Sequence, residues 1–370
     1  MENMINLAFI YLPSNNWVGG KNYYLSLFKQ LSKQDDVTLH IISSPEAELD
    51  EIPNKSNILV TRTKLLSNRR LSSRIIRYIS RTVLGENAFL YFILKKLKID
   101  LLSHSYITPW LGFRCIPWIP DFQHKYLPQH FSKKEISVRD IKYKKYLSSG
   151  SVLFSSYSAK SDAEKFYNLS AIPYVYRFSP YLESANENSS PSTIDDIPNT
   201  PYVFLPNQFW KHKNHKVVFE ALKVSTLRGR PFKLICTGEL SDYRNPHYIQ
   251  EISNLVEHPD IREHISLLGL VDRQMYIKLL RGAALVVNPS FFEGWSSTVE
   301  ESKYLNKKLV LSDIPVHLEQ IENYENALCF KAGDHESCLS AIYQSLEQSV
   351  VTNSYTSEEY YQIVKEILGK

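Results

Sequence analysis

The stretch ALVVNPSFFEGWSSTVEES, residues 284–302, passes from an apolar run through a short loop into polar residues suited to a helix start. ALVVN has the length and β-branched content of a buried strand. Ser297 to Glu300 and Thr298 to Glu301 both fit the S/T-x-x-E capping-box spacing, so a helix is expected to begin near Thr298. A cap accounts for one of Glu300 and Glu301. It leaves Glu293 unexplained, in a glycine-containing loop beside Phe291 and Phe292, at the carboxyl end of a strand.

The same strand, loop, helix unit recurs in both directions. Strand-like runs stand at 5–11, 37–43, 151–155, 201–205, 232–237, 284–288 and 308–312, and helical-period segments at 21–33, 158–167, 214–225, 244–257, 272–281, 298–305 and 335–348. Such alternation implies parallel sheets covered by helices on both faces, a doubly wound α/β protein. LESANENSSPSTIDDIPNTP, 182–201, has no periodicity and reads as a linker. Two Rossmann-like domains are therefore expected, 1–182 and 200–355, joined by 183–199 and facing each other across a cleft at the carboxyl ends of their strands. The final helical segment, 356–370, is placed to pack back on the first domain.

The 370 residues, with 43% apolar and 22% charged side chains, suit two globular cores. The net charge of +4 hides an asymmetry: 25 Lys and Arg against 14 Asp and Glu up to residue 180, and 18 against 25 beyond it. Cys115, Cys236, Cys329 and Cys338 lack the close pairing of a zinc site or disulfide framework and read as reduced, buried thiols of a cytosolic protein. The amino terminus lacks the basic region and apolar length of a signal peptide. No run of about 20 apolar residues is present to span a membrane.

Besides the Glu293 loop, three segments carry candidate binding groups at strand ends. Gly19 and Gly20 precede the first helix, either as a tight turn or as a place where backbone N–H groups meet an anion. They lack GxGxxG spacing, which disfavours ordinary NAD binding. In NQFWKHKNH, Asn207, Gln208, Lys211 and Lys213 follow a strand, and the cations there read as a solvated loop or as phosphate ligands. His212 and His215 read as facing phosphate or solvent, because no nearby acid or thiol completes a metal set. CIPWIPDFQHKYLPQHFS, 115–132, is too rich in proline for a helix or central strand, and places Asp121 and His124 after a strand-like WI.

Together these segments resemble the retaining glycosyltransferases of family 4, which have the GT-B fold. The resemblance runs in order through WVGGKNYY, WIPDFQHKYLPQHFS, FSSYSAKSDAEKFY, NQFWKHKN, LLGLVD, PSFFEGWSSTVEE and KKLVLSDIPVHLEQ; its most specific element is the E-x7-E pattern from Glu293 to Glu301. It implies that Glu293 contacts hydroxyls of the transferred sugar and Glu301 the ribose of a nucleotide. The amides of Ser296, Ser297 and Thr298, with Lys213, would hold the diphosphate, completed by Gly19 and Gly20; Leu270 would border the base. The donor would be a nucleotide-diphosphate sugar, with no metal or other cofactor. Two positions depart from the family pattern. Gln208 stands where many members have arginine, with Asn207 and Lys211 beside it, and Pro120 precedes Asp121 where many have histidine, leaving His124 to supply an imidazole.

TRTKLLSNRRLSSRIIRYISR, 61–81, holds seven Lys and Arg and no acid. Arg70, Arg74, Arg77 and Arg81 share one helix face and Leu71, Ile75, Tyr78 and Ile79 another. This helix is expected either to pack on the core with a solvated basic face, or to attach a peripheral cytoplasmic enzyme to an anionic membrane, where the acceptor would be a lipid-linked glycan of a bacterial surface polysaccharide such as O-antigen or capsule. No nucleic-acid-binding motif accompanies the basic half, so nucleic acid is not an expected partner. Two other readings compete with sugar transfer. Two carboxylates can hydrolyse a glycosidic bond without a nucleotide, and Gln208 and Pro120 are compatible with a non-catalytic protein of the same fold that binds nucleotide sugar or glycan.

Overall fold

The computed structural model describes residues 4–13, 18–180, 200–356 and 358–370. The expected linker, 183–199, lies outside the described residues. The chain divides into two compact units: 1–122 with 133–181 and 357–370, and 123–132 with 182–356.

The first unit is built on a parallel sheet of β1 (Ile5–Ile10), β2 (Val37–Ser43), β3 (Ile58–Arg62), β4 (Leu101–Ser103) and β5 (Cys115–Ile116), in the order β3-β2-β1-β4-β5. A smaller parallel sheet follows, of β6 (Trp118–Ile119), β7 (Ser151–Phe154) and β8 (Ile172–Val175). The terminal helix Tyr360–Leu368 belongs to this unit and is tied in by polar contacts. The Tyr360 hydroxyl lies 2.5 Å from Ser103 Oγ, and Arg177 Nε donates to Glu358 at 2.6 Å.

The second unit carries six parallel strands, β9 (Tyr202–Pro206), β10 (Lys233–Thr237), β11 (Ile265–Leu267), β12 (Leu285–Asn288), β13 (Leu309–Ser312) and β14 (Ala327–Phe330), in the order β11-β10-β9-β12-β13-β14. Alternate residues serve two cores. Val203, Leu205 and Val287 pack with Val218 and Leu222 of the helix His215–Leu227, while Phe204 and Val286 pack with Met275 and Leu279 of the helix Arg273–Gly282. Burial on both faces is why β9, β12 and β13 read as unbroken apolar runs. Strand order reverses between β9 and β12, the topological switch point where open α/β sheets bind ligands.

Three expectations are corrected. Segment 123–132, placed by sequence in the first domain, groups with the second unit. Ring and polar contacts hold it there: Tyr126 on Phe292 at 5.7 Å, the Arg244 guanidinium over Phe131 at 4.7 Å, and Asn245 Nδ2 to His130 Nδ1 at 2.9 Å. Cys329 is exposed and Cys115 half-buried; all four cysteines are free.

The third correction concerns the basic helix, Leu71–Val83. It does not pack its apolar stripe on the core. Its buried residues are Ser73 and Ser80, and Arg77 turns inward to donate to the carbonyls of Leu65 and Ser67 at 2.7 and 2.9 Å. Arg77 is therefore removed from the exposed basic set. Among the described residues, no helix is long and apolar enough to cross a membrane.

Candidate functional site

The site is assembled at the carboxyl ends of β9, β10, β11 and β12. After β9 the chain turns sharply under Gly238. Gly238 has φ +125°, and a Cβ there would stand 2.3 Å from the carbonyl oxygen of Asn207, so only glycine fits. Its N–H donates to Gly269 at 2.8 Å, binding the ends of β10 and β11 together, and leaves Leu270 exposed on the loop beyond.

The loop then makes one tight turn, Lys211–Lys213, and Asn214 enters the left-handed region before the helix begins. Its four basic-looking residues separate by burial. His215 is buried, stacked on Phe209 at 3.9 Å, with Nε2 3.1 Å from the Asn207 carbonyl. Burial pushes its pKa down to about 3, and burial with the Lys213 charge does the same to His212. The expectation that both histidines face phosphate or solvent is thus corrected for His215: it is a neutral structural group. The positive charge of the turn resides on Lys211 and Lys213.

Lys213 meets Glu293. Its Nζ donates to Glu293 Oε1 at 2.6 Å, and Ser290 Oγ donates to the same oxygen at 2.7 Å. The Glu293 side chain is only 9% exposed. Burial opposes its ionisation, but the Lys213 charge, His317 and the bonds from Lys213 and Ser290 outweigh it, so the carboxyl is held below its ordinary range. The loop itself is fixed from beneath. Ser290 Oγ also lies 2.8 Å from Asn288 Oδ1, the Phe291 N–H donates to the His212 carbonyl at 2.8 Å, and Asn288 Nδ2 donates to Ser296 Oγ at 2.8 Å.

The following helix spans Ser297–Tyr304 and is capped by Ser296, whose side chain accepts from Val299. The cap lies one residue before the earlier of the two positions expected from the spacing. Neither Glu300 nor Glu301 closes a capping box, because Val299 occupies the third helical position. Glu300 is a structural group: Gln320 Nε2 at 2.9 Å, Lys303 Nζ at 3.1 Å and the Tyr355 hydroxyl at 2.9 Å converge on it. Glu301 points to a different set, Arg273 at 2.6 Å on one oxygen and the Tyr276 hydroxyl at 2.5 Å on the other. Each carboxylate oxygen keeps a second lone pair for an incoming hydroxyl.

The Ser296 amide, expected to face an anion, donates to Gln320 Oε1 at 3.2 Å. Ser297 and Thr298 hold the first two helical positions, whose N–H groups have no intrahelical acceptor. His317, in the helix Pro315–Gln320, is fully buried, with Nδ1 3.0 Å from the Ser312 carbonyl. A carbonyl only accepts, so Nδ1 carries the proton and Nε2 is a bare acceptor, without a partner among the described residues. Burial brings the pKa of this imidazole down to about 4.

The remaining expected residues are distributed between the units. His124 is buried in the second unit, in the short helix Gln123–Tyr126, with its ring edge-on to Phe131. Asp121 belongs to the first unit. Gly19 and Gly20 also belong to the first, and they lie within the first turn of the helix Val18–Leu31, not ahead of it. A Cβ at Gly19 would meet nothing within 4 Å. Gln208 is half-buried and Lys211 exposed; the Lys211 N–H donates to Asp242 Oδ2 at 2.9 Å. Among the described residues, no group of three or more His, Cys, Asp or Glu could hold a metal ion.

Sequence reasoning missed Gly238, Arg273, Tyr276, Ser290 and His317. Gly238 carried a signal, a lone glycine directly after the strand FKLICT. Arg273 and Tyr276 carried one in their i, i+3 spacing on a helix that follows a strand end.

Two Rossmann-like units, with the ligand-binding switch point in the second, make up the GT-B fold. Residues 193–362 match the family model for glycosyl transferases group 1. The chain is 24% identical over 361 residues to the O-antigen chain mannosyltransferase RfbU of Salmonella typhimurium, covering 94% of this chain and 93% of that protein. Among solved structures it resembles a glycosyltransferase of Rickettsia africae, with a TM-score of 0.67, 17% identity, and coverage of 93% of this chain and 88% of that one. It also resembles HepE of Anabaena, solved in complex with UDP and glucose, with a TM-score of 0.63, 14% identity, and 93% and 90% coverage.

Proposed function

We propose that this glycosyltransferase moves a hexose from a nucleotide-diphosphate sugar to a glycan acceptor with retention of anomeric configuration and without a metal. The observation that carries the reading is the pairing of Lys213 with Glu293 at the switch point, beside a helix start whose far acid, Glu301, is held separately. In the donor complex Lys213 leaves Glu293 for the diphosphate, and the amides of Ser297 and Thr298 meet the same charge. Glu293 then addresses the sugar hydroxyls and Glu301 the ribose diol.

The developing charge on the departing diphosphate is stabilised by fixed dipoles and the lysine cation. Its oxygen takes the acceptor proton on the face from which it leaves. The acceptor in this reading is a lipid-linked glycan at an anionic membrane surface; that it belongs to a bacterial surface polysaccharide is supported by the likeness to an O-antigen chain mannosyltransferase. His124 is proposed as a catalytic imidazole.

A thermal-shift screen of UDP, GDP and dTDP sugars tests the donor, since a ligand bound only by the folded chain raises its melting temperature. One nucleotide family is expected to do so. Hydrolysis of a glycan with no nucleotide sugar present would instead support a glycosidase.

A further inference from the structure

The helix Leu71–Val83 is amphipathic, yet it faces the wrong way for a helix that belongs to a core. It buries the small polar side chains Ser73 and Ser80. Leu71, Ile75, Ile76, Tyr78, Ile79 and Val83 are all exposed, Leu71, Tyr78 and Val83 by 67%, 71% and 74%. At 100° per residue these six fall within one arc of about 160° that excludes the buried serines. No described residue covers them. A water-soluble surface does not ordinarily gather six large apolar groups on one helix.

The charge around this arc identifies what covers it. Arg70, Arg74 and Arg81 flank it along one edge, all exposed, and no acid occurs between Ile52 and Gly85. Arg77 is the exception, and its inward bonds to the Leu65 and Ser67 carbonyls hold the helix to the unit by its polar side. Trp110, 66% exposed, donates its indole N–H to the carbonyl of Leu84 at 3.0 Å, which puts an aromatic ring at the helix end. An apolar stripe edged by cations, with an amphipathic ring at its end, matches the boundary between acyl chains and anionic headgroups.

We infer that the helix Leu71–Val83 lies in the plane of an anionic bilayer, with its apolar stripe inserted among the lipid chains and Arg70, Arg74 and Arg81 at the phosphates. Attachment is then apolar as well as electrostatic, and salt weakens it without abolishing it. The inference deepens the proposed membrane-bound acceptor but is independent of the donor chemistry.

The test is flotation of the full chain with phosphatidylcholine vesicles, with and without phosphatidylglycerol, at low and high salt. The wild type is expected to float with the mixed vesicles. The double variant Ile75→Asn, Ile79→Asn should lose at least about tenfold in vesicle affinity while its melting temperature and its nucleotide-induced thermal shift stay unchanged. Arg70→Gln with Arg74→Gln and Arg81→Gln should lose the preference for phosphatidylglycerol. Wild-type chain that ignores the mixed vesicles, or an isoleucine variant that floats like the wild type, overturns the inference. So does a solution dimer that dissociates in the isoleucine variant, which would assign the face to a second copy. A missing nucleotide shift in the wild type would count against the donor reading and leave this one standing.

Discussion

Replacing Lys213 with alanine removes the cation paired with a carboxylate that is only 9% exposed. Breaking a buried ion pair from one side typically costs about 3–5 kcal/mol. Ser290 still donates to the same oxygen, and Lys213 is itself 21% exposed, so the low end, about 3 kcal/mol, applies. At about 2–4 °C per kcal/mol the second unit should melt about 6–12 °C lower.

The pH dependence gives a sharper readout because its sign reverses. In the wild type the Glu293 pKa is depressed below its ordinary value of 4.5. Its contribution to stability is therefore present above that value and is lost as pH falls through the folded pKa. Without Lys213, burial, the largest influence on this group, dominates and raises the folded pKa above the unfolded one. The contribution is then full below the unfolded pKa and is lost as pH rises through the folded one. Urea unfolding followed by the fluorescence of Trp210 and Trp295, between about pH 4 and pH 7, separates the two cases. Adding Glu293→Gln to the variant should abolish the slope. A Lys213→Ala protein within about 0.5 kcal/mol of wild type, with a parallel pH profile, refutes the reasoning.

Gly238→Ala places a Cβ 2.3 Å from the Asn207 carbonyl at φ +125° and should destabilise the second unit by about 3 kcal/mol or more; an unchanged melting temperature would contradict the close approach. Glu301→Gln keeps the shape but weakens two charge-assisted bonds, to Arg273 and Tyr276, and should loosen nucleotide binding about tenfold by calorimetry, whereas full affinity would remove Glu301 from the ribose. Gln208→Arg puts a charged donor on the loop that carries Lys213 and should tighten nucleoside diphosphate binding by about 1 kcal/mol, roughly fivefold; weaker binding would show that Gln208 has a different task.

The architecture was legible because the central strands of the six-stranded sheet are buried on both faces. PYVFL, ALVVN and KLVLS could only be central strands, and each is wholly buried in β9, β12 and β13. The strands β4, β5 and β11 escaped notice because two or three residues give no period to read, and β3, β8 and β14 because they are edge strands with few buried residues. The charges of the site were visible, but their partners were not. Lys213 and Glu293 are 80 positions apart, and Glu301 reaches Arg273 across 28. Nothing in a linear pattern distinguishes Glu300, consumed by Gln320 and Lys303, from Glu301. The basic helix shows the limit most clearly. Its periodicity was correct, yet periodicity does not say which face meets the protein, and here Ser73, Ser80 and Arg77 reverse the usual choice.

The central claim is that Glu293 works on the sugar of a nucleotide donor. The direct measurement is NMR of the anomeric proton of the product formed by wild type and by Glu293→Ala from the nucleotide sugar that raises the melting temperature. The wild-type product is predicted to keep the donor's anomeric configuration, and Glu293→Ala to bind the nucleotide yet form no product. An inverted product, or transfer by Glu293→Ala at the wild-type rate, would contradict the account.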